Sequence, residues 1–227
     1  MSRLVRAVFF DVDDTLVDYA TTSRLALDEA MGAAAEYDLW QQISEPHFQR
    51  YYRGEIEFAA MRIERTAHFL RELGREADSH RAADLETARF THLNRSFVLF
   101  DDVAACLAAL RERSVRLGLI TNNDGPHQRR KLAAVGLADS FDAVAISGEV
   151  GAAKPDPAIF TYACAALGVA PNEAMHVGDR LDADALGATA VGLSGVWLDR
   201  RGAAGDERRV PVVTTLAELP ALVERAA

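Results

Sequence analysis

Residues 7–16 read Ala-Val-Phe-Phe-Asp-Val-Asp-Asp-Thr-Leu, an apolar run that ends in two carboxylates spaced one residue apart. The run through Phe9 and Phe10 predicts a β-strand that is buried on both faces. Charge is costly in such a place unless it stands at the open end of the strand and meets a cation or a ligand. Asp11 and Asp13 therefore predict a site at this strand end, although the same stretch could simply form a turn that caps the next segment.

Polar groups also follow three later strand-like segments. Residues 117–120 lead into Thr121-Asn122-Asn123, residues 143–146 are followed by Lys154-Pro155-Asp156-Pro157, and residues 175–177 end at Gly178-Asp179. Two further short strands are predicted at residues 195–198 and 212–213. Because ligands bind at the carboxyl ends of the strands of an open parallel sheet, we expect these polar groups to converge on one pocket.

The segments between these strands carry helix signals. Asp156 and Pro157 fit an N-cap and first helical position, and Gly168 fits the C-terminal stop of the same helix. Thr215 and Glu218 predict a capping box for the last helix. Strands that alternate with helices predict an α/β fold, a Rossmann-like parallel sheet flanked by helices.

Residues 17–97 differ in character, being rich in Ala, Leu and charged residues and offering little that resembles a buried parallel strand. We predict an inserted all-α cap domain at 17–97, and an α/β catalytic core built from 1–16 and 98–227. Its position in the sequence, next to Asp11 and Asp13, suggests that the insertion acts as a lid.

The chain resembles phosphatases of the haloacid dehalogenase superfamily. The four motifs of that family are matched in order by residues 11–15, by Thr121, by Lys154 before Pro155, and by Gly178-Asp179 with Asp184 five residues after Asp179. The resemblance covers essentially the whole chain, including the helical cap. Two positions depart from the usual pattern, since Asp14 stands where many relatives have Gly and Arg180 where a small hydroxyl residue is frequent.

The resemblance implies roles for the carboxylates. Asp11 would be the nucleophile that forms an aspartyl phosphate, and Asp13 would protonate the leaving alcohol and later deprotonate the attacking water. The implied cofactor is Mg²⁺, held by the side chains of Asp11 and Asp179 and the main-chain carbonyl of Asp13. Asp184 would support this site, unless it lies on a solvated helix face.

The resemblance also implies a phosphate-binding set. Lys154 would supply a point charge to the phosphoryl oxygens, Thr121 a hydroxyl and Asn122 a backbone N–H. Lys154 could instead be an ordinary surface lysine, and the Thr121 hydroxyl could cap a turn. His127, close behind Thr121, is a weak further candidate.

These assignments predict a Mg²⁺-dependent phosphomonoester hydrolase for a small phosphorylated metabolite, either a nucleoside monophosphate or a sugar or sugar-acid phosphate. A sugar phosphomutase of the same family would use the same residues and remains an alternative, as does a non-catalytic binding protein. A haloacid dehalogenase is disfavoured because those enzymes lack an acid at the position of Asp13, since a halide leaves without a proton.

Composition sets consistent bounds. A chain of 227 residues with 49% hydrophobic content can build one sizeable core and a small cap. The formal net charge of -9 argues against nucleic acid or an anionic membrane as partner. Cys106 and Cys164 fall in apolar helical stretches and are expected to be core residues without a disulfide. With no signal region or transmembrane span in the sequence, we predict a cytoplasmic protein, either a monomer or a homodimer.

Overall fold

A computed structural model describes residues 4–202, 205 and 209–226, so residues 1–3, 203–204, 206–208 and 227 of the predicted core lie outside the described part of the chain. The chain divides into two compact units. One unit comprises Met1–Asp18 and Val98–Ala227, and the other comprises Tyr19–Phe97. The first is an α/β unit and the second is helical, which confirms the predicted fold class.

The α/β unit is built on a six-stranded sheet in the order β3-β2-β1-β4-β5-β6, and its neighbouring strands all run parallel. The strands are β1 (Ala7–Phe10), β2 (Arg116–Thr121), β3 (Ala143–Ile146), β4 (Ala174–Gly178), β5 (Ser194–Leu198) and β6 (Val212–Val213). The predicted strands are therefore confirmed, three of them lengthened by one or two residues. Strands β2 and β3 lie on one side of β1, and β4, β5 and β6 lie on the other. The direction in which successive strands are added therefore reverses next to β1, and open sheets of this kind bind their ligands at that point.

The central strand β1 is completely buried, as its apolar sequence predicts. Phe9 is in register with Gly118 of β2 on one side and with His176 of β4 on the other. A Cβ atom at Gly118 would lie 2.5 Å from Cε1 of Phe9, so the phenyl ring requires a glycine opposite it. This fit fixes the register of β1 and β2 and therefore the relative heights of their carboxyl ends.

Helices of the α/β unit connect the strands and form its outer layers. They are α5 (Val103–Glu112), α6 (Gly125–Ala134), α7 (Ser147–Val150), α8 (Pro157–Leu167), α9 (Gly187–Ala190) and α10 (Leu219–Ala226), with a π-helical segment at Leu181–Leu186. The predicted signals of α8 are confirmed: the Asp156 carboxylate accepts from the Ala158 N–H at 2.8 Å, and Gly168 ends the helix with φ of +61°. The capping box of Thr215 and Glu218 encloses a 3₁₀ turn just before α10.

The helical unit has four long helices, α1 (Tyr19–Met31), α2 (Tyr37–Tyr52), α3 (Phe58–Glu72) and α4 (Ser79–Arg95). Its main apolar cluster includes Leu27, Trp40 and Phe69, with the indole of Trp40 edge-on to the phenyl ring at 5.2 Å between centroids. None of the described helices combines the length and the apolar character needed to cross a bilayer.

A buried ion cluster also lies inside the helical unit. The carboxylate of Glu86 accepts from Arg89 at 2.8 Å, from Arg65 at 3.3 Å and from the Thr66 hydroxyl at 2.8 Å. Both guanidinium groups lie over the Trp40 ring, at 4.3 Å for Arg65 and 4.8 Å for Arg89. Burial by itself would raise the pKa of Glu86, but its ion pairs with Arg89 and Arg65 outweigh burial and lower that pKa to about 2.

The two cysteines are core residues, as predicted. Cys106 and Cys164 are buried in α5 and α8 as free thiols. Burial raises the pKa of Cys106 to about 12 and that of Cys164 to about 11, so both thiols are protonated at neutral pH.

Candidate active site

The carboxyl ends of three adjacent strands bring the predicted site residues together. Asp11 follows β1, Thr121 is the last residue of β2, and Asp179 follows β4. Because β1 lies between β2 and β4, these three residues stand at one edge of the sheet. The Asp11 N–H donates to the Val177 carbonyl at 2.9 Å, which extends the sheet pairing to the catalytic candidate itself.

The loop after β1 is a tight turn that fixes the first motif. The carbonyl of Val12 accepts from the N–H groups of both Leu16 and Val17 at 2.9 Å. Asp14 has φ of +57°, a left-handed conformation that favours glycine and that Asp adopts more readily than most other residues. Aspartate can therefore occupy this turn position, where a residue with a branched or bulky side chain would be strained.

Lys154 is a buried cation at the centre of the site. Its Nζ donates to Oδ1 of Asp11 at 2.6 Å, to Oδ1 of Asp184 at 2.6 Å and to the Ile120 carbonyl at 2.8 Å. The two ion pairs outweigh burial and raise the pKa of Lys154. The surface-lysine alternative is therefore wrong, because the side chain is 3% exposed and fully paired.

The side chain of Asn122 positions the main chain of Lys154. Its Oδ1 accepts from the Lys154 N–H at 2.7 Å, and its Nδ2 donates to the Lys154 carbonyl at 2.9 Å. This pair of hydrogen bonds joins the loop after β2 to the segment after β3. Asn122 thus has a structural task for its amide, and its backbone N–H remains a predicted phosphate donor.

Asp184 is buried at 1% exposure, so its alternative placement on a solvated helix face is wrong. It lies in the π-helical segment, and its carboxylate accepts from Lys154, from His176 Nε2 at 2.9 Å and from the Arg180 N–H at 3.0 Å. Burial opposes ionisation, but Lys154 and His176 outweigh it and lower the pKa of Asp184. Gly178 makes room for this carboxylate, since a Cβ there would lie 2.7 Å from the Asp184 Cβ.

Three carboxylates face one another at this edge. Each of Asp11, Asp179 and Asp184 offers an oxygen within 4.8 Å of the oxygens of the other two. Burial raises the pKa of Asp11 to about 7 against the attraction of Lys154, and burial with the charges of Asp11 and Asp184 raises the pKa of Asp179 well above its usual range. Asp11 and Asp184 are buried and Asp179 is partly buried, and one ammonium is too little charge for three such carboxylates, so the set suits an additional hard cation.

Asp13 contacts residues that the sequence analysis missed. One oxygen of its carboxylate forms an ion pair with Nζ of Lys131, and the other accepts from Nδ2 of Asn123 at 3.2 Å. Asn123 Nδ2 also donates to Oε1 of Gln128 at 2.9 Å, and Gln128 Nε2 donates to the Thr121 hydroxyl oxygen at 3.1 Å. A polar network therefore links two predicted site residues, Asp13 and Thr121, through α6 and the loop before it.

The sequence did carry a signal for this network. Gln128 and Lys131 are three residues apart and both are buried on one face of α6, where a core helix would normally present apolar residues. His127, the weak candidate, is also buried, and its backbone N–H donates to the N-cap Asp124 at 3.0 Å.

Comparison with known proteins finds one family that covers most of the chain. A family model described as haloacid dehalogenase-like hydrolase matches residues 5–192. The N-acylneuraminate-9-phosphatase of Mus musculus is 33% identical over an alignment that covers 97% of this chain and 94% of that protein. The phosphoserine phosphatase of Thermus thermophilus is 41% identical over 172 residues, covering 76% of this chain and 67% of that protein.

A solved structure is similar to this chain over nearly its full length. The L-2-haloacid dehalogenase from Xanthobacter autotrophicus has a TM-score of 0.78 and 27% sequence identity, and the match covers 97% of this chain and 98% of that one. Both phosphatases and a dehalogenase thus resemble this chain, and the residues at the sheet edge must distinguish between the two reactions.

Proposed function

The chain belongs to the haloacid dehalogenase-like hydrolase family, and from its phosphatase relatives we infer that it is a Mg²⁺-dependent phosphomonoester hydrolase working through an aspartyl phosphate. One observation carries this proposal. Asp11, paired with the buried Lys154, lies in a carboxylate cluster with Asp179 and Asp184, while Asp13 lies in the tight turn that follows, with its carboxylate held by Lys131.

In the first half-reaction, a carboxylate oxygen of Asp11 forms a bond to phosphorus as the ester P–O bond breaks. Asp13 gives its proton to the leaving alkoxide oxygen at the same time. In the second half-reaction, Asp13 accepts a proton from water, whose oxygen attacks phosphorus and releases inorganic phosphate and the Asp11 carboxylate. The water restores both groups, so the enzyme ends unchanged.

Lys154 keeps its charge throughout and lowers the repulsion between Asp11 and the phosphate dianion. That repulsion is about 1 kcal/mol per charge pair at 4 Å in water and about 4 kcal/mol at an effective dielectric constant of 20. Thr121 is prepared for the same task, because its oxygen accepts from Gln128 and its hydroxyl hydrogen is left to donate. Asn122 contributes its backbone N–H.

The donor set fits Mg²⁺, which prefers a few carboxylate oxygens and keeps waters and substrate oxygens as further ligands. The side chains of Asp11 and Asp179 and the main-chain carbonyl of Asp13 would hold it, with Asp184 as the supporting carboxylate. When bound, the ion neutralises charge on the phosphoryl oxygens and on the clustered carboxylates.

Asp13 favours phosphate ester hydrolysis over dehalogenation, since an alkoxide needs a proton and a halide does not. For the substrate, the names of the two relatives are informative: phosphoserine and N-acylneuraminate 9-phosphate are both phosphate esters of small carboxylic acids. Among the classes predicted from sequence, this favours a sugar-acid phosphate over a nucleoside monophosphate. We propose that the helical unit is the cap domain that sets this specificity.

The test is phosphate release from a panel of sugar-acid phosphates, phosphoserine, hexose phosphates and nucleoside monophosphates, with Mg²⁺ and with chelator. Asp11→Asn should abolish Mg²⁺-dependent release, while Asp182→Asn, the same change at an exposed position nearby, should not. Phosphate release that persists in Asp11→Asn would contradict the assignment of Asp11 as the nucleophile. Phosphate transfer to a second hydroxyl without net release would indicate a mutase, and no turnover of any compound would support a binding protein.

A further inference from the structure

We propose that Lys131 is a positioning residue for the general acid–base Asp13, a role that rests on the proposed phosphatase mechanism. Lys131 lies on α6 and its side chain is completely buried, while the Asp13 side chain is 24% exposed. The ammonium pairs with one carboxylate oxygen of Asp13, and Asn123 donates to the other. With both oxygens engaged, rotation of the carboxylate is restricted.

The usage of lysine in this chain sets Lys131 apart. The sequence has 25 basic side chains of the Lys and Arg types, and only two of them, Lys131 and Lys154, are lysines. Both are buried, and each pairs with one aspartate of the first motif, Lys154 with Asp11 and Lys131 with Asp13. Arginine serves at the other 23 positions, so lysine occurs only where a compact ammonium meets a carboxylate of the site.

Stability alone gives no reason for a charge at position 131. Removing the Lys131 ammonium from water costs free energy that its ion pair with the partly exposed Asp13 carboxylate does little more than offset, and an apolar side chain of similar volume often serves a buried position equally well. The same buried face of α6 also carries Gln128, which binds the hydroxyl of Thr121. This face of the helix therefore supports two proposed catalytic-site residues and packs less apolar surface than a core helix usually does.

Asp13 has to act twice, first giving a proton to the leaving oxygen and then taking one from water. Both transfers require the carboxylate within hydrogen-bond reach of the reacting oxygen, on the same side of the phosphoryl group. Lys131 takes no part in any bond change. Its task is to keep the carboxylate oriented between the two half-reactions.

The test compares Lys131→Met with Arg130→Met, which removes an exposed cation from the same helix. Single-turnover release of the alcohol is measured with an alkyl phosphate and with p-nitrophenyl phosphate. An alkoxide needs the acid, whereas p-nitrophenolate leaves without a proton. In Lys131→Met the rate of alcohol release from the alkyl phosphate (the alkyl rate) should fall by about 10²-fold. The rate of p-nitrophenolate release (the aryl rate) should fall by far less. Equal losses with both substrates would indicate a general structural role and overturn the proposal.

A double-mutant cycle with Asp13→Asn gives the second readout. If Lys131 acts through Asp13, adding Lys131→Met to Asp13→Asn should change the alkyl rate by no more than about twofold. An additive loss would contradict the proposal. If Asp13→Asn retained the wild-type rate, the proposed mechanism itself would fail, whereas a slow Asp13→Asn beside a fully active Lys131→Met would reject only the role of Lys131.

Circular dichroism and the Tm establish that each variant is folded. Should Lys131→Met not fold, Asn123→Ala removes the contact to the other Asp13 oxygen and leaves the ammonium in place. The ratio of alkyl to aryl rates should fall in that variant as well. An unchanged ratio would show that these contacts do not orient Asp13.

Discussion

The substitution Glu86→Gln should destabilise the helical unit because it leaves Arg65 and Arg89 without their shared anion. The glutamine keeps the size of the side chain and removes only the negative charge. Both guanidinium groups are buried at about 1–2% exposure and lie over Trp40, so water cannot replace the carboxylate without opening the unit.

The magnitude follows from the pKa of Glu86, which is about 2 in the folded unit against an ordinary value of 4.5. Each pH unit of that difference corresponds to about 1.4 kcal/mol, so the ionised form contributes about 3 kcal/mol near neutral pH. Because the folded-state pKa is lowered, this contribution is present above about pH 4.5 and is lost as the pH falls towards 2. The difference between the two proteins should shrink over the same range.

Urea denaturation followed by tryptophan fluorescence can isolate this unit. The chain has two tryptophans, Trp40 in the ion cluster and Trp197 in β5, so a Trp197→Phe background leaves Trp40 as the only emitting indole. The matched control is Glu64→Gln. Glu64 pairs with Arg50 at 2.7 Å on the surface, where such a pair contributes less than about 1 kcal/mol.

Two results would refute this reasoning. If Glu86→Gln cost no more than Glu64→Gln at pH 7, the buried pair would not stabilise the unit. If the cost were large but unchanged between pH 7 and pH 3, packing and not charge would be its cause.

Three further predictions concern substitutions in the α/β unit. Gly178→Ala forces a Cβ into Asp184 and should lower the free energy of unfolding by about 1–3 kcal/mol, measured by urea denaturation. It should also weaken Mg²⁺ binding, measured by calorimetric titration. Unchanged Mg²⁺ affinity would contradict this prediction. Lys154→Met removes the ammonium shared by Asp11 and Asp184 and should lower the free energy of unfolding by about 3–5 kcal/mol. Added Mg²⁺ should restore part of the lost Tm because it supplies positive charge to the same carboxylates. A Tm insensitive to Mg²⁺ would argue against a shared cation site. Asp102→Asn weakens the contacts of that carboxylate with Arg200, Thr215 and Leu216 and should lower the Tm at pH 7. Since hydrogen bonds from these three groups overcome burial and lower the pKa of Asp102 to about 2, the difference should narrow as the pH falls from about 4 towards 2, and a constant difference would show another cause.

The sheet, and the convergence of the candidate site residues on one of its edges, could be predicted because each depends on a short stretch of sequence. The strand at Ala7–Phe10 is a continuous apolar run that stops at a charge, and parallel strand order then places Asp11, Thr121 and Asp179 at one edge. The residues that begin and end α8, Asp156 and Gly168, could likewise be recognised from the local sequence. Such features need no knowledge of tertiary contacts.

Contacts between distant residues could not be predicted in the same way. The ion pair of Lys131 with Asp13 joins residues 118 positions apart, and it depends on the rotation of α6 about its own axis. The burial of Asp184 depends on a π-helical segment, whose wider turn departs from the spacing of 3.6 residues that pattern analysis assumes. In the sequence, nothing distinguishes the charges of Glu86, Arg65 and Arg89 from ordinary exposed ones. Only the packing of the helical unit buries them.

The burial of both lysines also determines how the native protein responds to amine chemistry. Succinimidyl esters and acetic anhydride acylate unprotonated amines that reach solvent, and the side chains of Lys131 and Lys154 are 0% and 3% exposed. Folded protein should therefore resist acylation at lysine almost completely. Any lysine adduct found by mass spectrometry would mark a molecule in which the carboxyl edge of the sheet had opened. The rate of acylation therefore measures the local stability of this edge.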